Sequence, residues 1–144
     1  MAKRRRFRRL FIPLPVTVRL LGIGKPSAPI HVEIRDVSRN GLSIEFRISL
    51  KNGHLLIEQG EEPIKLIPFI VMNEKLLELD IEMPPRSERL RAKGVVRWYD
   101  FGSREEFHYF RAGILMKEME IEDRKKWEDF IRHAESVEKA LKRD

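Results

Sequence analysis

Six short segments of this chain alternate apolar with polar residues, and this period of two constrains the fold more than any other feature. Turn residues such as Gly, Pro, Asn and Ser separate the segments. Because successive side chains of a β-strand point to opposite faces, each segment predicts a strand with one buried face. The six predicted strands are Pro15–Leu21, Ile30–Ile34, Leu42–Ile48, Leu76–Met83, Arg89–Tyr99 and Phe107–Met116, with a turn at Asp100–Ser103 between the last two.

The periodicity changes near Ile121, where apolar residues begin to recur every three or four positions. This spacing places them on one stripe of an otherwise charged α-helix, predicted at about residues 121–142. Strands followed by one helix predict a mainly β fold, a small six-stranded antiparallel β-barrel with the helix packed on it. The stripe consists of Trp127, Phe130, Ile131, Ala134, Val137 and Leu141.

Residues 49–74 fit this pattern less well and are predicted to be an insertion in the barrel. Asn52–Gly53 indicates a turn, and His54–Glu58 suits a short strand or one helical turn. Ile64–Met72 is apolar, but Pro68 argues against a central strand, so we expect extra core there rather than an oligomer interface. A length of 144 residues suits one domain, predicted over residues 13–144.

The basic charge is concentrated at the N-terminus. Six of the 29 Lys and Arg residues lie within the first nine positions, and the other 23 equal the 23 Asp and Glu residues in number. We therefore predict a flexible basic arm over residues 1–12 and a neutral domain behind it. Five of the six basic residues are arginine, whose planar group binds phosphates and guanine edges through two hydrogen bonds at once.

Several function classes are excluded or disfavoured by composition. The absence of cysteine excludes disulfides, thiolate metal sites and thiol catalysis. No apolar run approaches the roughly 18 residues of a membrane span, so we expect a soluble, cytoplasmic protein. His31, His54, His108 and His133 are scattered without the spacing of metal ligands. We therefore predict that the protein is not an enzyme and needs neither metal nor cofactor.

Two motifs lack an obvious structural explanation. The first is an Arg-x-x-x-Arg formed by Arg5 and Arg9, and the second is an Asp-x-Ser-x-x-Gly formed by Asp36, Ser38 and Gly41. Each motif alone is weak, since Asp, Ser and Gly are ordinary turn residues. Their order and their position ahead of a barrel pattern make the combination specific.

With these motifs the chain resembles the PilZ domain, a bacterial receptor module for cyclic di-guanosine monophosphate (c-di-GMP). The similarity continues through Leu42–Phe46, Gly94–Trp98, Arg111–Leu115 and the closing helix, but not through residues 49–74. The resemblance implies a split barrel and a c-di-GMP site made by Arg5, Arg9, Asp36, Ser38 and Gly41. Further candidates for ligand contact are Arg4, Arg6, Arg8, Arg39, Arg97 and Trp98.

The chemistry of the ligand is compatible with these residues. Arginine can bind guanine O6 and N7 or neutralise a phosphate, and a carboxylate such as Asp36 can accept hydrogen bonds from guanine N1–H and its amino group. Ser38 can bond an amino group or a phosphate, and Gly41 lets the backbone come close. Trp98 is expected either in the core under the helix or, with Arg97, stacked on a guanine.

The resemblance further implies an adaptor that orders its arm on the ligand and then signals to a partner protein in motility, adhesion or exopolysaccharide machinery. An alternative is a nucleic-acid-binding barrel of the OB or cold-shock type, in which the arm follows phosphates. Aromatic content of only 8% disfavours nucleic acid as the partner. An assembly domain with degenerate motifs is a third possibility, disfavoured by the intact motif residues.

Overall fold

The computed structural model describes residues 9–84 and 88–142, which form eight strands and two helices. The alternating burial within each strand follows the alternation in the sequence. The strands are β1 (Leu14–Leu20), β2 (Ile30–Val37), β3 (Gly41–Lys51), β4 (His54–Ile57), β5 (Ile64–Lys65), β6 (Leu76–Met83), β7 (Glu88–Arg104) and β8 (Phe107–Met119), and the helices are α1 (Ile67–Ile70) and α2 (Ile121–Lys142).

Six of the strands close into a barrel in the order β2-β1-β6-β7-β8-β3, with β3 pairing back onto β2. Every pairing is antiparallel. The remaining two strands, β4 and β5, extend the sheet from β3 outside the closed ring. The predicted mainly β fold, a six-stranded antiparallel barrel with a C-terminal helix, is confirmed.

The core fills the barrel and continues under α2. Phe46 and Phe110 stack inside it with ring centroids 6.1 Å apart. From α2, Trp127 and Ile131 are fully buried, whereas Val137 and Leu141 farther along the apolar stripe are exposed. The first half of the helix therefore holds it on the barrel, by burying apolar surface.

The predicted insertion adds to this core. Strand β3 runs on to Lys51, three residues beyond its predicted end, but its pairing with β8 ends at Ile48 and the remaining residues pair with β4. After the short strands β4 and β5, α1 forms a single turn with Pro68 at its start, where a missing N–H is tolerated. Leu66 and Phe69 are fully buried, in agreement with the expectation of extra core.

The turn predicted at Asp100–Ser103 is wrong, because these residues belong to β7. From Trp98 onward, β7 pairs regularly with β8 up to Arg104 and Phe107, and Glu105–Glu106 make the turn. Gly102 is explained by packing instead: a Cβ there would lie 2.2 Å from the ring of Tyr109 on the adjacent strand.

Within the described residues, neither helix combines the length and the hydrophobicity that crossing a lipid bilayer requires.

Candidate functional site

One row of side chains crosses four neighbouring strands on the outside of the barrel. Asp36 of β2 pairs with Ser43 of β3, Ser43 pairs with Gly113 of β8, and Gly113 pairs with Trp98 of β7. Adjacent strands lie about 4.8 Å apart, so the row spans about 14 Å. A carboxylate and an indole therefore lie at opposite ends of a row whose two middle residues, Ser43 and Gly113, are small.

A β-bulge brings Asp36 into this row. Ile34 pairs with Ile44 inside the barrel, but the next pair is Asp36 with Ser43, so β2 carries one extra residue, Arg35. In a regular strand Asp36 would face the same way as Ile34, into the core. The extra residue turns it to the outer face.

A second bulge does the same for Trp98. Val96 pairs with Ile114 and Trp98 with Gly113, which leaves Arg97 as the extra residue of β7. The expectation that Trp98 is a core residue under the helix is therefore wrong: Trp98 is only half-buried, and the tryptophan under α2 is Trp127. Strict alternation would place Trp98 inside, and no residue in the sequence indicates the bulge.

Trp98 lies flat against the floor of the row because Gly113 has no side chain. A Cβ on Gly113 would be 2.0 Å from the indole Nε1. Above the indole, the Arg9 guanidinium stands 5.9 Å from the ring centroid. These groups border an open cavity of about 160 Å³. Its lining residues are Arg9, Asp36, Ser38, Asn40, Gly41, Leu42, Ser43, Arg97, Trp98, Gly113, Ile114 and Leu115.

The turn that joins β2 to β3 forms one wall of the cavity. The Ser38 backbone N–H donates to the Gly41 carbonyl at 2.8 Å. Gly41 has no positive φ, so the turn does not require a left-handed residue there. Its Cβ would instead lie 2.1 Å from the Ile114 carbonyl oxygen, so Gly41 allows β3 to approach β8.

The same turn is tied to both ends of the described chain. On one side, Leu10 and Val37 exchange two backbone hydrogen bonds of 2.8 Å. On the other, the Trp127 indole N–H donates to the carbonyls of Ser38 and Arg39 at 3.1 and 3.2 Å. These contacts fix the backbone that carries Asp36 and Ser38.

Of the predicted site residues, the structure brings six together around one cavity: Arg9, Asp36, Ser38, Gly41, Arg97 and Trp98. Arg39 is not among the lining residues, since its guanidinium pairs with Glu135 of α2 at 3.4 Å. Arg4, Arg5, Arg6 and Arg8 lie outside the described residues. Sequence reasoning missed Ser43 and Gly113, which only the strand register reveals.

Arginines on the neighbouring outer face are already engaged. Arg104 binds Glu45 through both carboxylate oxygens, at 2.6 and 3.0 Å, and the hydrogen bonds raise the pKa of Arg104 above its ordinary value. Arg47 stacks on Phe107 at 4.4 Å, and Arg104 stacks on Tyr109 at 4.7 Å. The cations around the cavity, Arg9 and Arg97, have no such carboxylate partner among the ion pairs of the described residues.

A larger depression, of about 610 Å³, lies over β1, β6 and β7 beside the start of α2. Both acidic and basic side chains line it, and Asp80 pairs there with Arg91 at 4.0 Å. It contains none of the predicted site residues, so we place the candidate site at the smaller cavity. Across residues 9–84 and 88–142, no three His, Asp or Glu side chains cluster closely enough to hold a metal ion.

Comparison with known families gives a match to the PilZ domain over residues 3–133. No curated protein sequence matches the chain.

Among solved structures, the fold is similar to the PilZ domain with c-di-GMP of YcgR from Escherichia coli, with a TM-score of 0.57 and 15% identity over 97% of this chain and 99% of that one. The K. pneumonia MrkH–c-di-GMP complex gives 0.63 and 15% over 99% of this chain and 57% of the other. The inhibitor of motility MotI/DgrA of Bacillus subtilis gives 0.56 and 14% over 99% and 54%. The chain thus spans about half the length of the last two.

Proposed function

Because the chain belongs to the PilZ domain family, we propose that it is a receptor for c-di-GMP and that the ligand binds over the row from Asp36 to Trp98. The observation that carries the proposal is the convergence of Arg9, Asp36 and Trp98 from three separate segments on one cavity. Two bulges are needed for this convergence, and a bulge beside a site commonly serves to redirect a side chain.

A guanine base suits this row chemically. Asp36 offers a carboxylate to the N1–H and amino group of guanine. At the far end, the Trp98 indole offers a flat surface on which a base could stack by displacing the Arg9 side chain that now lies over the ring. Stacking on an aromatic ring contributes about 1–3 kcal/mol per base, so Trp98 is a strong candidate for the principal apolar contact.

The rest of the ligand extends beyond the cavity. The cavity volume of about 160 Å³ is smaller than the roughly 300–1,000 Å³ of sites that enclose a small molecule. We assign the phosphates and the second guanine to the arginines of the N-terminal arm, Arg5 above all. The chain enters the described region beside the cavity, at Arg9 and Leu10, so the arm is attached where it is needed.

An arm that folds over the ligand creates a new surface, and we propose that this surface is recognised by a downstream protein. Coupled ordering of this kind turns a small molecule into an interaction site. NMR relaxation of residues 1–8 with and without ligand tests this step. Equal mobility in the two states would overturn it.

Isothermal titration calorimetry with c-di-GMP tests the proposed site. We expect the native chain to bind in the micromolar range or tighter, and Arg9→Ala, Asp36→Ala and Arg97→Ala each to weaken binding at least tenfold. A hydrogen bond to a charged group contributes about 1.5–3 kcal/mol, which corresponds to roughly that factor or more.

Two matched variants serve as controls. Arg39→Ala removes an arginine from the same turn whose guanidinium pairs with α2, and Asp129→Ala removes an exposed carboxylate that pairs with Arg132 at 3.4 Å. Both should bind as the native chain does. If either control weakens binding as much as Asp36→Ala, or if the native chain gives no heat, the proposed site is wrong.

Binding of RNA or single-stranded DNA is the alternative function, and the structure gives it little support. The exposed outer face does interleave basic with aromatic residues, as such proteins do. However, Arg47 covers the ring of Phe107, and Arg104 with Arg111 covers that of Tyr109, so a base would have to displace an arginine to stack on either ring. Salt-sensitive RNA binding without any response to c-di-GMP would favour this alternative.

A further inference from the structure

The second half of β7 has a neighbouring strand on one side only. Its partner β6 ends opposite Val95, and the last backbone hydrogen bond on that side joins Val96 N–H to the Lys75 carbonyl at 3.0 Å. From Trp98 to Arg104, β7 pairs regularly with β8, while no strand in the described part of the chain pairs with its other edge. Free N–H and C=O groups along an edge are a template for another strand.

This edge carries two exposed aromatic side chains. Tyr99 is 40% and Phe101 46% exposed, and both rings pack on Phe110, with centroids 5.5 and 5.3 Å away. The rings are therefore held in place before any partner arrives. Trp98–Arg104 contains neither the lysine nor the proline that usually protects an edge, and its charged Asp100 and Arg104 already bind Arg111 and Glu45.

We infer that this edge pairs with the same edge of a second copy of the chain, so that two barrels join through antiparallel β7 strands. Opposing residues of an antiparallel pair share one face, so a two-fold axis through the sheet must pass between identical residues. The regular stretch of seven residues, Trp98–Arg104, has Phe101 at its centre. A two-fold axis at Phe101 therefore pairs all seven residues of the stretch with the second copy.

The register centred on Phe101 is self-complementary. It sets Phe101 against Phe101 of the second copy, Tyr99 against Ser103, and Asp100 against Gly102. It also sets Trp98 against Arg104, whose guanidinium stays paired with Glu45 of its own chain, so this pair opposes no like charges. The neighbouring register, centred on Asp100, would oppose two carboxylates, which is unfavourable in a cross-strand pair. The register centred on Phe101 therefore uses the whole regular stretch without opposing like charges, and we take a second copy in this register as the occupant of the edge.

This dimer would bring a residue of the second copy to the candidate site. Trp98 lines the cavity, and in the proposed register Arg104 of the second copy lies beside it. That part of the inference rests on the proposed function, whereas the dimer itself does not. Since one strand pair is smaller than the roughly 800 Å² per partner of stable complexes, we expect a dissociation constant in the micromolar range.

Cysteine crosslinking tests both the dimer and its register, because the native chain contains no cysteine. Under mild oxidation, Phe101→Cys should form a covalent dimer, since opposing Cα atoms of an antiparallel pair lie within disulfide range. Tyr99→Cys and Ser103→Cys should each remain monomeric alone but crosslink when mixed. Val71→Cys, at a position 72% exposed on another surface, controls for random collision.

Sedimentation equilibrium supplies an independent measurement. The native chain should dimerise with rising concentration, and Phe101→Arg should remain monomeric. Because the Phe101 ring also packs on Phe110, circular dichroism is used to check that the variant keeps the native fold. A native chain that stays monomeric at high concentration, or a Phe101→Cys variant that crosslinks no faster than Val71→Cys, overturns the inference. Calorimetry with c-di-GMP tests the proposed function separately. If the ligand does not bind, the proposed function fails, but the crosslinking result on the dimer still stands.

Discussion

At the scale of single residues, the glycines of the site act through packing rather than through backbone conformation. Neither Gly41 nor Gly113 has a positive φ, yet each lies where a Cβ would collide with a neighbour, the Ile114 carbonyl in one case and the Trp98 indole in the other. The glycine of the Asp-x-Ser-x-x-Gly motif was expected to let the backbone approach a base. The structure shows in addition that Gly41 lets β3 approach β8.

Replacing Gly41 by Ala should therefore destabilise the fold. The obstacle is a backbone oxygen, which cannot move aside without breaking the β3–β8 ladder, and overpacking of this kind costs about 1–3 kcal/mol. Urea unfolding measures the loss. Gly102→Ala is the matched comparison and should lose less, because its obstacle is the far end of the Tyr109 side chain. Equal losses would contradict this account of Gly41.

Removing the indole should impair binding while sparing stability. Trp98→Ala deletes a half-buried ring outside the core, so we expect a melting temperature close to that of the native chain. Affinity for c-di-GMP should fall by about ten- to a hundredfold, since stacking contributes about 1–3 kcal/mol per base. Calorimetry measures the affinity and thermal unfolding measures the stability of the same samples. A large loss of stability would show that Trp98 is a packing residue after all.

At the scale of elements, the period-two and period-3.6 patterns predicted the strands and the helix, but they did not predict the two bulges beside the site. A bulge adds one residue to a strand, so the side chains beyond it point to the opposite face of the sheet from the one that strict alternation predicts. The extra residues, Arg35 and Arg97, do not differ in type from ordinary strand residues. The motif residues, and Trp98 as one of two possibilities, could therefore be named from the sequence. The outward position of Trp98 and the presence of Ser43 and Gly113 beside it depend on the bulges and the strand register, which the sequence does not reveal. The misplaced turn at Asp100–Ser103 has a similar cause, because Gly102 resembles a turn residue but accommodates Tyr109.

Helix α2 should influence the site through one hydrogen-bonding group. Trp127→Phe keeps a buried ring but removes the N–H that donates to the Ser38 and Arg39 carbonyls, which costs about 1–3 kcal/mol when buried acceptors lose their donor. We expect faster amide exchange at Ser38 and weaker c-di-GMP binding. Phe130→Leu reduces packing next to Trp127 without removing the bond, and it should leave exchange at Ser38 unchanged.

At the scale of the whole molecule, the charge distribution should govern how the ligand is captured. The net charge of +6 derives from the first nine residues, so the arm attracts a doubly charged anion more than the domain does. Deleting residues 1–8 should weaken c-di-GMP binding at least tenfold and flatten its dependence on salt. Calorimetry at several ionic strengths measures both. A truncated chain with the same salt dependence would contradict this role, since screening acts on the charges that remain.

The turn between β2 and β3 contacts both the N-terminal segment, through Leu10, and helix α2, through Trp127. Leu10 is bonded to Val37, and Trp127 is bonded to Ser38 and Arg39, so three consecutive residues anchor both terminal segments. The turn thus holds the N-terminal segment and the helix through adjacent residues. If c-di-GMP binds as proposed and shifts Ser38, both attachment points would move together. Proteins joined to either end of such a module would receive the same message from one short stretch of backbone.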